Sequence, residues 1–340
     1  MNYYKQDDFD NFKCIAGDCP KSCCTGWQIV IDDESAERYQ AEKGVVGELL
    51  AEGIDFEEQV FLQNNGRCSM LDKAGLCKLQ IVVGEEILCD TCKAFPRHTE
   101  EYEDVREFSL SLACPEAARM AVERIEPMTI VAYEDSEEDD FEDFDYLMYT
   151  KLVDAREIIF NIIQDRNVSL LSRMAKVQSF GQELEKCVDE DRFFEIDDVL
   201  DDYSRSRADK FSYEVANIDI LYKLEILDDE WQNWLDDATL FVRDKDIGEI
   251  VDNLSTREQV AFEQILFLLI YTYFCGAVYD DWVYSKIALC IYSVQWMICI
   301  YRSRSEAENL EVLIETVYRY AREVEHSDLN LDFIEETFSF

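Results

Sequence analysis

Proline is nearly missing from this 340-residue chain: there are four, and none after Pro127. With only 11 glycines beside them, the chain lacks the punctuation of a loop-rich or disordered protein, so long regular elements are expected. Basic residues are scarce as well. There are 32 against 75 acidic ones, a formal charge of −43, which disfavours nucleic acid and anionic membranes as partners and suits a lysine-bearing protein surface. The segment Met1–Asp8 has neither the basic stretch nor the apolar stretch of a secretory leader, so a cytoplasmic location is expected. Bilayer-length apolar runs are missing too. Gln264–Tyr279 and Ile287–Tyr301 are each short and are parted by Asp280, Asp281 and Lys286, which reads as a buried helical hairpin.

Histidine is limited to His98 and His326, whereas cysteine is abundant, with thirteen residues. An odd number in a chain without a leader favours metal ligation or free thiols over a disulfide framework. Nine of them fall at or before Cys114, and Cys187, Cys275, Cys290 and Cys299 are scattered among apolar helical segments, where a thiol acts as a small hydrophobe.

The fold class expected is mainly α: a small cysteine-rich metal-binding region with minor β, followed by an all-helical domain. The division placed on the sequence is 1–130 for the cysteine-rich region, 131–145 for an acidic linker and 146–340 for the helical domain. In the first part, Trp27–Ile31 alternates like a strand, and Asp32 and Asp33 cap a helix over Glu34–Lys43 that Gly44 ends. Ser109–Leu112 reads as a short strand, and Pro115 opens a helix that stops before Pro127. In the second part, apolar spacing from Leu147 to Ile163 is helical, and further helices are expected at 169–189, 210–227, 230–243, 257–279, 282–303 and 306–325, with polar breaks at Asp201–Asp202 and Asp328–Asn330.

The first thiol group is Cys14-x4-Cys19-x3-Cys23-Cys24, on a segment with Gly17, Pro20 and Gly26. A loop can wrap its thiols around one centre, whereas a helix would send them to opposite faces. Adjacent Cys23 and Cys24 do not readily bind one ion in the same way, so one of them is expected to differ in role. The second group is Cys68, Cys77, Cys89, Cys92 and Cys114. With so little histidine to recruit, an all-thiolate centre is favoured, iron–sulfur ahead of four-thiolate zinc.

Taken together, Phe12-Lys13-Cys14, Cys19, Cys23-Cys24-x2-Trp27-x-Ile29, Asp32, Cys68-x2-Leu71-Asp72, Gly75-Leu76-Cys77-x-Leu79-Gln80, Gly84-Glu85-Glu86, Thr91-Cys92-Lys93-Ala94-Phe95-Pro96-Arg97, Ser109–Leu112 and Cys114-Pro115-Glu116-Ala117-Ala118 resemble the flagellin lysine-N-methylase family, with its cysteine-cluster, iron- or zinc-chelating domain. The resemblance covers about residues 10 to 125 by motif and the remainder less specifically. It implies methylation of lysine ε-amines on flagellin with S-adenosylmethionine as donor, and a [4Fe-4S] cluster, with zinc as the alternative. The cysteines matching its pattern are Cys14, Cys19, Cys23, Cys24, Cys68, Cys77, Cys92 and Cys114; Cys89 departs from it and is the weakest candidate ligand.

No glycine-rich strand-to-helix loop is present to hold the donor. The spacing also lacks the C-x3-C-x2-C of radical S-adenosylmethionine enzymes, so a structural cluster is the more economical reading. Trp27 and Phe95-Pro96-Arg97 stand beside candidate ligands and are the motif residues to test first. His98 is a weak general-base candidate expected at the surface, and no catalytic residue is assigned. The competing function is a non-catalytic iron- or zinc-binding module. A module of that kind has no need of roughly 200 residues of aromatic-rich helical domain, whereas a macromolecular methylase needs donor and substrate pockets.

Overall fold

Asn2–Gln6 forms a strand, β1, whose neighbours in the sheet lie about a hundred residues away in sequence. The computed structural model describes residues 2–134, 144–206, 211–215 and 217–339. Between β1 and its parallel partner runs most of the cysteine-rich region, because a parallel pair requires a long crossover. In that crossover lie α1 (Asp33–Ala41), α2 (Gly44–Gly53), the two-residue strands β2 (Ile54–Asp55), β3 (Val60–Phe61), β4 (Gln63–Asn64) and β5 (Arg67–Cys68), and the short helices α3 (Lys78–Val82) and α4 (Asp90–Ala94). Then come β6 (Arg97–Tyr102), β7 (Val105–Leu110), α5 (Pro115–Glu123) and β8 (Ile130–Glu134).

The sheet order is β6-β7-β1-β8. β1 runs parallel to β7, with Tyr3 opposite Arg106, and antiparallel to β8, with Tyr4 opposite Ala132. The buried Gln6 side chain accepts from the Leu110 N–H at 2.9 Å where the β1–β7 ladder ends.

Several local expectations need correcting. Asp32 does cap α1, accepting from the Ser35 N–H at 2.8 Å, a contribution of about 1 kcal/mol. Gly44 does not end that helix, however; it opens α2 with φ +68°. Trp27–Ile31 alternates in burial but makes only one bridge, Val30 to Val60, so the alternation reflects packing rather than a ladder. The strand expected at Ser109–Leu112 begins earlier, at Val105. Of the segment read as an acidic linker, Val131–Glu134 belongs to β8 and residues 135–143 lie outside the described residues.

From residue 144 onward the described residues form no strand. The helices are α6 (Tyr146–Ile163), α7 (Leu170–Asp189), α8 (Ile196–Arg205), α9 (Trp231–Val242), α10 (Ile247–Asp252), α11 (Thr256–Tyr273), α12 (Val283–Arg304), α13 (Leu310–Val324) and α14 (Asp328–Phe338). Asp201–Asp202 lies inside α8 and Asp328–Asn330 starts α14, so neither is a break. Within the helix expected at 210–227, Ile218–Lys223 is instead a 3-10 turn, and 210 and 216 lie outside the described residues.

α12 is the axis of the helical part, packing on α7, α9, α10, α11, α13 and α14. Every side chain from Val283 to Arg302 is buried, as expected of a helix that is apolar on all faces. α11 and α12 are longer than their apolar runs suggested, long enough by length and hydropathy to cross a membrane. Here they form the core of the helical part. Charges carried into this core are paired: Arg302 with Glu258 at 2.6 Å, and Lys286 with Asp280 at 2.8 Å and with Glu335. One such pair also ties the two halves together, since buried Arg156 on α6 grips buried Glu107 on β7 through two hydrogen bonds.

Candidate metal centre and the adjoining cavity

Most of the thiols are carried by loops and helix starts, with Cys68 at the end of β5 and Cys92 within α4. Cys19 follows a 3-10 turn over Ala16–Asp18, and Cys23 and Cys24 lead to Gly26, whose φ is +96°. Cys77, Cys89 and Cys114 stand at the N-caps of α3, α4 and α5, where the helix dipole favours a thiolate. The Cys68 N–H donates to the Cys24 carbonyl at 2.9 Å, which joins the first group to the second.

Packing divides the thiols differently from sequence order. Cys68 and Cys89 are buried in one apolar cluster with Ile29, Met70 and Leu79, and Cys24, Cys77 and Cys92 pack against it. Cys114 belongs to a separate cluster with Phe12, Leu110 and Ala117. Electrostatic coupling follows the same division except at Cys92, which feels both Cys24 and Cys23. Cys68 feels Cys24 and Cys77, and Cys77 feels Cys24 and Cys89, whereas Cys114 feels Cys19 and Cys14. Adjacent Cys23 and Cys24 thus sit at the seam. Cys23 is hydrogen-bonded to Cys24 and also feels Cys14 and Cys114.

Burial pushes Cys68 and Cys114 up to about 11. The hydrogen bond from Cys23 draws Cys24 down to about 7, and the one from Cys92 draws Cys89 down to about 7. Among the described residues, no three His, Cys, Asp or Glu side chains already stand close enough to clasp an ion. The donor set is nevertheless all sulfur, gathered in two neighbourhoods on loops and very short elements, and suits a thiolate centre that closes on binding. Cys89, the weakest candidate by motif, is fully buried beside Cys92.

Beside the thiols lies a cavity of about 500 Å³ between the two halves. The turn from α4 into β6 supplies Phe95 and His98, the end of α11 supplies Tyr273, and the segment closing α13 supplies Glu325 and His326. Tyr273 Oη donates to Glu325 Oε2 at 3.0 Å. Glu325 Oε1 is buried and has no hydrogen-bond partner. His98 Nε2 meets Glu100 Oε1 at 2.5 Å.

Burial pushes the Glu325 carboxyl up to about 7 against the opposing pull of Tyr273 and His98. For His98, burial lowers the pKa, but the hydrogen bond and charge of Glu100, together with Glu325, outweigh it and raise the net value. His326 keeps accessible surface yet is enclosed by protein, as cleft-lining groups are. Desolvation, with the Arg322 and His98 charges, lowers it to about 4.

Trp27 connects the cavity to the thiols. His326 stacks on it at 4.4 Å between ring centroids, Phe95 tilts against it at 5.8 Å, and the Arg322 guanidinium lies 3.8 Å from its ring centre. Gly26 is required here by its φ of +96°, since a Cβ would meet Arg322 Nη2 only at ordinary contact distance, 3.4 Å.

Trp27 and Phe95-Pro96-Arg97, singled out in the sequence for standing beside candidate ligands, are brought together at the cavity. Arg97 lines it and lies 5.4 Å from the Phe12 ring centre. His98 stands on the cavity wall with 42% of its side chain still exposed. Sequence reasoning missed Tyr273, Glu325 and His326. Glu325 looked like one of 75 acidic residues, and the only available signal was the scarcity of histidine, which marks its neighbour His326.

The architecture is that of a thiol-rich α/β region docked on a helical domain, and residues 156–340 match the family of the FliB lysine N-methylase C-terminal domain. That match spans over half of the chain, which belongs to this family. Similar curated proteins include the flagellar biosynthetic protein FliU of Salmonella muenchen, 32% identical over 119 residues, with 31% of this chain and 68% of that protein covered. The lysine-N-methylases of Salmonella choleraesuis and Salmonella typhimurium are each 32% identical, over 119 and 118 residues, or 31% of this chain and 29% and 28% of theirs. The chain thus aligns with less than a third of the length of either lysine-N-methylase. No solved structure matches.

Proposed function

We propose that this chain is a cytoplasmic methyltransferase that moves a methyl group from S-adenosylmethionine to lysine ε-amines of flagellin. The observation that carries the reading is the cavity between the thiol-bearing region and the helical family domain, walled by Phe95 and His98 from one side and Tyr273, Glu325 and His326 from the other. Its size falls in the range of small-molecule sites. The names of the relatives, lysine-N-methylase and flagellar biosynthetic protein, support the same reading.

A lysine ammonium has no lone pair, so it must lose a proton before its nitrogen attacks the sulfonium methyl in line. Phe95, Leu268, Leu269 and Leu331 give the cavity an apolar wall, and the carboxyl and phenol at Glu325 and Tyr273 provide proton-handling groups. The acidic surface, at −43 overall, draws lysine-bearing segments toward the protein.

The thiols would hold an iron–sulfur centre, with zinc as the alternative. Cys14, Cys19, Cys23 and Cys114 form one four-sulfur set, and Cys24, Cys68, Cys77 and Cys92, with Cys89 among them, form another. A bound centre would supply structural cross-linking, fixing the loop that presents Trp27 to Arg322 and His326.

Anaerobic purification with iron, sulfide and zinc analysis, combined with labelled S-adenosylmethionine and flagellin offered to the same sample, tests the reading. Iron and sulfide in the protein and label on lysine are the expected result. Stoichiometric zinc with no methyl transfer would instead mark a non-catalytic metal-binding module.

A further inference from the structure

We infer that Glu325, held by Tyr273 in the wall of the cavity, is the docking point for the substrate's primary ammonium and takes its proton before methyl transfer. The inference rests on the methylase reading for its second half only; recognition of an alkylammonium group stands on the geometry alone.

The buried carboxylates of the chain set the standard: of these, Glu185 lacks a cation but accepts from the Tyr284 N–H at 2.9 Å. Glu107, Glu258, Glu263 and Glu335 are each paired with an arginine or lysine, as buried charges must be. Buried Glu323 accepts from the Leu227 N–H. Glu325 has Tyr273 on Oε2, nothing on Oε1 and no cationic ion-pair partner among the described residues. A deeply placed carboxylate oxygen without a donor, in the wall of a cavity, is a site built for a cationic donor that arrives with the ligand.

The surroundings select an alkylammonium. Phe95 and Tyr273 line the cavity with aromatic rings, which suit a cation, and His326, uncharged at neutral pH, does not compete with it. The other titratable and charged groups facing the cavity are His98 and Glu100 on β6, Arg97 at its start and Asp328 at the start of α14. His98 is already engaged by Glu100.

Burial places Glu325 near neutrality, where it can both ionise to receive an ammonium and accept a proton from it. In the reaction, the ammonium N–H gives its proton to Glu325 and the freed lone pair forms the N–C bond. The C–S bond of the sulfonium donor breaks with its electron pair going to sulfur. Positive charge passes from sulfur to the methylated nitrogen, a neutral thioether leaves, and Glu325 returns its proton to solvent before the next turnover.

The test is calorimetric binding of Nα-acetyl-lysine amide to the full chain, above and below the Glu325 pKa, in wild type, Glu325→Gln and Tyr273→Phe, with Nα,Nε-diacetyl-lysine amide as the uncharged control. Wild type should bind the amine, and more tightly at the higher pH. Glu325→Gln should weaken binding by about tenfold or more and lose the pH dependence. Tyr273→Phe should keep binding but move its midpoint to higher pH, since the phenol hydrogen bond lowers the Glu325 pKa. That shift can be read even if the Gln variant folds poorly.

Unchanged affinity and pH profile in folded Glu325→Gln would overturn the inference, as would equal binding of the diacetylated control. Label transfer from S-adenosylmethionine is read on the same samples. Glu325-dependent binding without transfer would retain the ammonium site and reject the methylase reading. Equal transfer by wild type and Glu325→Gln would do the reverse.

Discussion

Arg322 holds its guanidinium carbon 3.8 Å from the centre of the Trp27 indole, with Nη2 donating to the carbonyls of Ser22, at 3.3 Å, and Thr25. One side chain of α13 thereby fastens the loop that carries Cys19, Cys23 and Cys24. A cation over a desolvated tryptophan is worth about 2 kcal/mol. Replacing Arg322 with Ala should therefore lower stability in urea unfolding by about 2 kcal/mol and speed the reaction of those thiols with an alkylating reagent. Arg322→Lys should recover only part of both effects, because an ammonium cannot reproduce the planar, forked contact.

The Arg156–Glu107 pair ties the sheet to the helical domain where neither charge reaches water. Removing one partner strands the other, so Arg156→Met or Glu107→Gln should cost about 3–5 kcal/mol in chemical denaturation. The double replacement should cost less than the sum of the two, a coupling that a double-mutant cycle measures.

Adjacent Cys23 and Cys24 serve different neighbourhoods, and metal analysis should distinguish them. Cys23→Ser should diminish the metal held with Cys14, Cys19 and Cys114, and Cys24→Ser that held with Cys68, Cys77 and Cys92. Each single variant should keep part of the metal content, and the Cys23–Cys24 double variant should lose most of it. Cys290→Ala, in the fully buried stretch of α12, should cost stability as a core truncation and leave metal content unchanged.

Glu325 also makes stability depend on pH in a definite direction. Its pKa rises from 4.5 to about 7 on folding, so the folded state keeps a proton that the unfolded state loses across this window. Its contribution is complete below about 4.5 and is lost as pH rises through 7. His326 has the opposite sign: lowered from 6.5 to about 4, it favours the folded state above 6.5 and loses that contribution as pH falls through 4. Comparison with Glu325→Gln isolates the first effect. The variant should match wild type in acid and become progressively more stable than wild type as pH rises from about 4.5 to 7, as read by thermal melts.

What was legible in the sequence follows from how local the causes are. Ser169 caps α7 by accepting from the Ser172 N–H, and Ser255 and Glu258 form a capping box at the start of α11, so both helices could be read from their own residues. Asp201–Asp202 within α8 and the polar start of α14 resembled breaks because the apolar faces of these helices gain meaning only against α6, α7 and α12. The pairing of β1 with β7 depends on a crossover of about a hundred residues, which no local pattern encodes. The cysteine-rich region was marked out by the density of its thiols, but their division between two apolar clusters depended on packing. Tyr273, Glu325 and His326 approach His98 only through the docking of α11 and α13, more than 170 residues along the chain.

The most direct test of the account is to produce flagellin in cells lacking other lysine methylases, together with the full chain or its Glu325→Gln variant, and to read flagellin lysines by peptide mass spectrometry. The account predicts methylated lysines with the wild-type chain and a large loss of methylation with the variant at equal protein levels. Unmodified flagellin beside a folded, metal-loaded wild-type chain would contradict it.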